Sequence, residues 1–123
     1  MDLDTNKLTL GRIVWADLPD SNGEPCGNHR FIIVSAPTSF DDEEIVALVG
    51  VSTRIPDKDE EAECVPLRYH QQGHALTKLK KPSWAHCRWY QEAKLGQIQE
   101  LSGQVGQAAV ENILAAIAAL KKK

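Results

Sequence analysis

The sequence has no uninterrupted apolar run that approaches the length a bilayer requires, so no membrane span is expected. Its N-terminal stretch MDLDTNKLTL carries two aspartates and no apolar core, so no secretory signal is expected either. Cysteine is scarce: Cys26, Cys64 and Cys87 are an odd number and widely spaced, which argues against a disulfide framework. A reducing cytoplasm is the natural compartment for such a chain. Cys26-x-x-His29, His70-x-x-x-His74 and His86-Cys87 look superficially like zinc ligands. No Cys-x-x-Cys pair anchors them and they lie in different segments, so neither a metal nor a cofactor is expected. Internal repeats and low-complexity blocks are also absent.

What is present is an ordinary globular composition. The chain has 123 residues, 42% of them hydrophobic and 25% charged, which predicts one folded domain over 1–123 rather than a disordered chain. The net charge of −3 hides a strong segregation. Residues 1–40 carry a net −2, residues 41–63 a net −7 and residues 64–123 a net +6. One acidic edge and one basic face are therefore expected, and a basic face attracts polyanions. Solvated surface is the competing explanation for both.

Hydrophobic patterning predicts several short strands and one terminal helix. Residues 1–10 read as a loose arm. Gly11 to Leu18 is a strand of β-formers closed by Pro19 and Asp20. Residues 19–29 are dense in Gly, Pro, Asn and Asp and predict a long loop. Phe31 to Ser35 is continuously apolar and predicts a buried central strand, followed by a third strand over Glu44 to Val51. Cys64 to Leu67 contains Pro66 and suggests an edge strand. Residues 68–82 are polar and basic, and Ser83 to Trp89 reads as the last strand. Leu95 to Leu101 predicts a short helical turn, with Ser102 as the cap of a helix over about 102–120. In that helix Val110, Ile113, Leu114, Ile117 and Leu120 form one apolar stripe, and Lys121 to Lys123 suit its C-terminal end. The fold class is mainly β, a small bent sheet or barrel with the helix packed against it. Trp15 is expected in the core; Trp84 and Trp89 are either core or stacking surfaces for unpaired bases.

The segment GRIVWADLPDSNGEPCGNHRFIIVS resembles the opening of the MazF/PemK family of toxins from bacterial toxin–antitoxin pairs. Gly23, Glu24, Gly27, His29 and Arg30 stand where that family has its Gly-Ser-Glu-x-x-Gly-His-Arg-Pro loop. Val51-Ser52-Thr53 resembles the segment ending the family's third strand, and Leu79 to Ser83 the one before its last core strand. Leu95-Gly96-Gln97-Ile98 and the terminal helix also fit, so the likeness runs from Gly11 onward. It implies an SH3-like twisted β-barrel with a C-terminal helix, usually a homodimer. It also implies metal-independent cleavage of single-stranded RNA, and an antitoxin whose disordered tail covers the RNA site. The chain departs from the pattern in three places. Asn28 intervenes between Gly27 and His29, Phe31 replaces the proline after the arginine, and His86-Cys87-Arg88 stands where some members have Arg-Cys-Asp.

Cleaving RNA without a metal requires deprotonating a 2′-hydroxyl, stabilising the charged transition state and protonating the leaving 5′-oxygen. Arg30 is a candidate for charge stabilisation, since a guanidinium fork matches phosphate oxygens; the alternative is a strand-end arginine paired with Glu24. Ser52 can donate to a phosphate oxygen, and Thr53 could equally be the active hydroxyl. His29 carries an imidazole and is a candidate base or acid. Glu24 could orient Arg30 or His29. His86 could replace the family's arginine as proton donor or relay, and Arg88 could contact RNA. Lys78, Lys80 and Lys81 beside Trp84 suit single-stranded RNA. The expected assembly is a twofold dimer burying roughly 1,200 Å² or more. Arg30 and residues 68–88 should line the RNA groove, with acidic 41–63 held away. A non-catalytic SH3-like module binding RNA or a protein is the alternative function.

Overall fold

The computed structural model describes residues 5–39 and 41–121. Six strands are described: β1 (Arg12–Asp17), β2 (Asn28–Ile33), β3 (Ile45–Ser52), β4 (Cys64–Leu67), β5 (Ser83–Lys94) and β6 (Ile98–Gln104). One helix, α1 (Gln107–Lys121), follows them. The strands form one antiparallel sheet in the order β4-β5-β3-β2-β1-β6. β4, with Pro66, is an edge strand as its proline predicts.

Both faces of the sheet are buried at Phe31–Ile33 of β2 and Val46–Val51 of β3, and these stretches read as nearly continuous apolar runs. On one face Ile13, Ile32, Val49, Val51, Ala85 and Cys87 meet Val110, Ile113 and Ile117 of α1. On the other face Val14, Phe31, Ile33, Val46, Leu48 and Trp89 pack inside the bend of the sheet. Leu114, expected in the helix stripe, is 38% exposed. Leu8 lies in the segment expected as a loose arm, yet it is only 1% exposed and joins the second cluster. Residues 1–4 and Lys122 and Lys123 lie outside the described residues.

The bend has a local cause. Along β5 the register jumps from Gly50↔His86 to Val49↔Tyr90, a bulge that increases strand twist. It brings the Trp89 ring onto Gly50, where a Cβ atom would lie 1.8 Å from the ring. The segment between β4 and β5 then links the two sheet edges. The Thr77 hydroxyl donates to the Arg68 carbonyl (2.7 Å), and the Gln104 N–H of β6 donates to the Leu76 carbonyl (2.9 Å). Gly103 permits this approach, since a Cβ there would meet the Thr77 carbonyl oxygen at 2.1 Å. The sheet is not closed, but it is barrel-like.

Three expectations need correction. Leu95–Gln97 is a single 3-10 turn, and the chain from Ile98 is the sixth strand, paired with β1. Ile98–Gln104 (IQELSGQ) is poor in β-formers, so its strand state comes from the ladder and not from propensity. Ser102 therefore sits inside β6, and α1 starts five residues later, with the Gly106 carbonyl accepting the Val110 N–H at 3.0 Å. Trp15, expected in the core, is only partly buried.

Candidate nucleic-acid interface

The C-terminal end of β3, the middle of β5 and the β1–β2 loop enclose a cleft of about 420 Å³. Ser52, Arg54, His86, Arg88 and Trp89 line one part of it, and Asp20, Ser21 and Asn22 form its rim with Glu60 beside Arg54. Each group is placed by a local cause. Ser52 ends β3, and its hydroxyl oxygen accepts the Arg54 N–H at 3.1 Å, a Ser/Thr turn that brings Arg54 back over the strand end. The Trp89 indole N–H donates to the Pro19 carbonyl (2.9 Å), and the Gln91 amide donates to the same oxygen (3.1 Å). These bonds fasten the loop to β5. Asp20 then closes the rim by accepting N–H groups of Asn22 (2.9 Å) and Glu24 (3.0 Å).

Electrostatics in the cleft are dominated by two forked ion pairs. Arg54 donates twice to Glu60, at 2.9 and 2.8 Å. Arg88 donates twice to Glu63, one bond being 2.9 Å from Nη2 to Oε1 and the other running from Nε to Oε2. The Arg54 bonds, with a further one from the Asp57 N–H, hold the Glu60 carboxyl down at about 2, so it stays ionised at any physiological pH. Both glutamates belong to the 3-10 helix Lys58–Glu63. The acidic segment was expected to lie away from the groove. Instead its last turn lies in and behind the cleft, because the chain returns from β3 to β4 across the same face and meets two guanidinium groups there.

His86 is 6% exposed. Its Nδ1 lies 3.3 Å from Cys64 Sγ and 3.5 Å from Arg54 Nη2. Its Nε2 is buried without a hydrogen-bond partner among the described residues. Burial first, and then the Arg54 charge, push its pKa below the ordinary histidine value. His86 is therefore a neutral imidazole near pH 7. Cys87 is pushed up to about 12, chiefly by burial, and stays a thiol in the core.

The sign of the His86 shift gives an expected result. The unfolded chain binds this proton near pH 6.5 and the folded chain only at lower pH. The His86 contribution to stability is fully present above about pH 6.5 and is lost as acid is added. The urea midpoint should drop between pH 7.5 and 5.5 in the wild type, and His86→Gln should flatten that slope. An unchanged slope in the variant would contradict a neutral, buried His86.

The residues singled out from sequence do not all converge. His29 comes near the cleft, its ring edge-to-face with Trp89 at 5.8 Å. Ser52, His86 and Arg88 line the cleft, while Thr53 is exposed beside it. Arg30 does not line it. Alternation along β2 sends Arg30 to the face opposite His29 and Phe31, where its guanidinium lies 5.3 Å from the Trp15 ring centre. Burial lowers the Arg30 pKa, and no carboxylate pairs with it among the described residues. Glu24 is exposed on the rim turn and is not its partner. Trp84 pairs with Ser52 across the ladder and is half-buried. Lys78, Lys80 and Lys81 are exposed on the segment linking the sheet edges and lie outside the cleft lining. The zinc-like pairs do not assemble: among the described residues no three His, Cys, Asp or Glu side chains gather as ligands. Sequence reasoning missed Arg54 and Glu60. The one available signal was a cation two residues after a strand-end serine.

A bent antiparallel sheet with one terminal helix, carrying an arginine-lined cleft at a strand end, defines a small barrel-like protein. The chain belongs to the PemK-like, MazF-like toxins of type II toxin–antitoxin systems, whose family model matches residues 9–120. Solved structures agree on the fold. An endoribonuclease in complex with its cognate antitoxin, from a mycobacterial species, is similar with a TM-score of 0.68 and 16% identity, over 92% of this chain and 93% of that one. The Mycobacterium tuberculosis toxin MazF-mt6 is similar with a TM-score of 0.67 and 16% identity, over 90% of this chain and 96% of that one. A comparison with curated protein sequences finds no match. Among the described residues no helix is long and apolar enough to cross a membrane.

Proposed function

We propose that this toxin cleaves single-stranded RNA without a metal, at the cleft where β3 ends. The observation that carries this reading is the convergence of Ser52, Arg54, His86 and Arg88 on one cleft. The reaction needs only groups of these types. A base takes the proton of the 2′-hydroxyl as its oxygen attacks the adjacent phosphorus, the bond from phosphorus to the 5′-oxygen breaks, and that oxygen takes up a proton. The products are a 2′,3′-cyclic phosphate and a 5′-hydroxyl. Arg54 and Arg88 stabilise the charge that builds on the phosphate, and the Ser52 hydroxyl donates to one of its oxygens. His86, whose pKa burial and Arg54 push down, orients or hydrogen-bonds. His29, on the Trp89 shelf, is the proton-transfer group of suitable chemistry. Arg30 over Trp15, and the exposed Lys78, Lys80 and Lys81 with half-buried Trp84, contact flanking nucleotides by charge and stacking.

The remaining partners follow the same reading: a cognate antitoxin that covers the cleft, a twofold homodimer, and a cytoplasmic site of action suited to three free thiols. The occupation of both cleft arginines by glutamates favours a second reading, a module that binds RNA or protein without cutting. Cleavage separates the two. A single-stranded RNA oligonucleotide should be cut by the purified protein in excess EDTA; cutting that stops in chelator and returns with magnesium or zinc would overturn the mechanism.

A further inference from the structure

The cleft presents two guanidinium groups, and both are already engaged by carboxylates of the chain itself. A carboxylate and a phosphate offer an arginine the same fork of two oxygens, so they compete for it. The two pairs differ in how readily they exchange. The Arg54 side chain is 54% exposed and its partner Glu60 29%, so this pair lies at the solvent edge of the cleft. A pair at the solvent edge exchanges more readily than a buried one, since each partner can be resolvated as it leaves. The Glu63 side chain is only 9% exposed, so Arg88 cannot leave it without stranding a buried charge. Glu60 has a second tie: its Oε1 accepts the Asp57 N–H at 3.2 Å, closing the first turn of the 3-10 helix. Moving Glu60 away from Arg54 therefore loosens that turn as well.

We propose that Glu60 is an internal competitor for the phosphate subsite at Arg54, so that an RNA phosphate enters by displacing the Glu60 carboxylate and loosening the 3-10 helix Lys58–Glu63. The proposal rests on the reading that this cleft binds RNA. It assigns unequal roles to the two arginines. Arg54 is the exchangeable subsite, open to a phosphate once Glu60 leaves. Arg88 keeps its glutamate and offers the incoming phosphate only its exposed face. The chain thus restrains its own affinity for RNA, and the restraint is set by one surface ion pair.

The test measures binding of a single-stranded RNA oligonucleotide, fully 2′-O-methylated so that it cannot be cut, by fluorescence anisotropy. Glu60→Gln should bind it roughly twofold to fivefold more tightly at low salt. The slope of log affinity against log salt should become more negative by about 0.7, one further phosphate contact on a single strand. Asp59→Asn removes the same charge from the same helix and should leave the slope unchanged. In an Arg54→Ala background Glu60→Gln should bring no gain. A slope in Glu60→Gln equal to that of Asp59→Asn overturns the proposal, as does a gain that survives Arg54→Ala. Cleavage of the unmethylated oligonucleotide is recorded alongside. Cutting by the wild type with no effect of Glu60→Gln on binding removes this proposal alone. A binding gain without cutting by either protein removes the catalytic reading alone.

Discussion

Arg54→Ala should lower kcat/KM on a single-stranded RNA oligonucleotide by about 100-fold to 1,000-fold, the loss typical of removing one donor aimed at transition-state charge. The effect has two sources. The guanidinium beside Ser52 is gone, and Glu60, which it held at 2.8 Å, is left as an uncompensated negative charge at the phosphate site. The fold should survive, because Arg54 is exposed and surface ion pairs typically contribute about 1 kcal/mol or less. The thermal midpoint should therefore move by no more than about 4 °C. Arg30→Ala is the informative comparison. Arg30 lies over Trp15 on the other face of β2, so its removal should weaken RNA binding and spare the chemical step. A loss of kcat from Arg30→Ala as large as that from Arg54→Ala would place the catalytic cation on the Trp15 face.

Gly50→Ala should damage both stability and activity. Its new methyl group would start 1.8 Å from the Trp89 ring, and the ring is held by its bond to Pro19 and by Phe31 at 5.0 Å. Either the indole leaves, opening the second core cluster, or β3 and β5 move apart at the bulge. Overpacking of this kind costs about 1–3 kcal/mol and sometimes more. In a chain of this length that lowers the thermal midpoint by roughly 4–12 °C. Because Trp89 is a wall of the cleft and the anchor of its rim loop, cleavage should fall in the soluble fraction too. A variant with wild-type melting and cleavage would show that Trp89 is not seated on Gly50.

Much of the fold was legible in the sequence for one physical reason. Phe31 to Ile33 and Val46 to Val51 are buried on both faces, so their apolar runs cannot be confused with loops. β6 was not legible, since Gln, Glu, Ser and Gly fill it and only its ladder with β1 makes it a strand. The three tryptophans show the same limit. Which of them is core depends on tertiary placement: the β5 bulge seats Trp89 on Gly50, while Trp15 on β1 stays partly exposed under Arg30. In the cleft, Ser52 could be read as a strand-end hydroxyl, and His86 and Arg88 from the family pattern. Arg54 and Glu60 could not, because their pairing exists only after the chain turns back from β3 toward β4. Segment charge was a coarse guide. The most acidic stretch contributes Arg54 as well as Glu60, and the basic stretch contributes His86 and Arg88 while Lys78, Lys80 and Lys81 lie outside the cleft lining.

The central claim is that a 2′-hydroxyl of the RNA attacks its own neighbouring phosphate in this cleft. It is tested most directly by mapping the cut in a single-stranded RNA oligonucleotide, in excess EDTA, and then replacing the nucleotide on the 5′ side of that cut with its 2′-deoxy form. Cutting of the all-ribose strand should leave a 2′,3′-cyclic phosphate, and the single 2′-deoxy substitution should abolish it while deoxy substitutions elsewhere do not. Cleavage of the substituted strand at the same bond, or a product ending in a 3′-hydroxyl, would contradict the account.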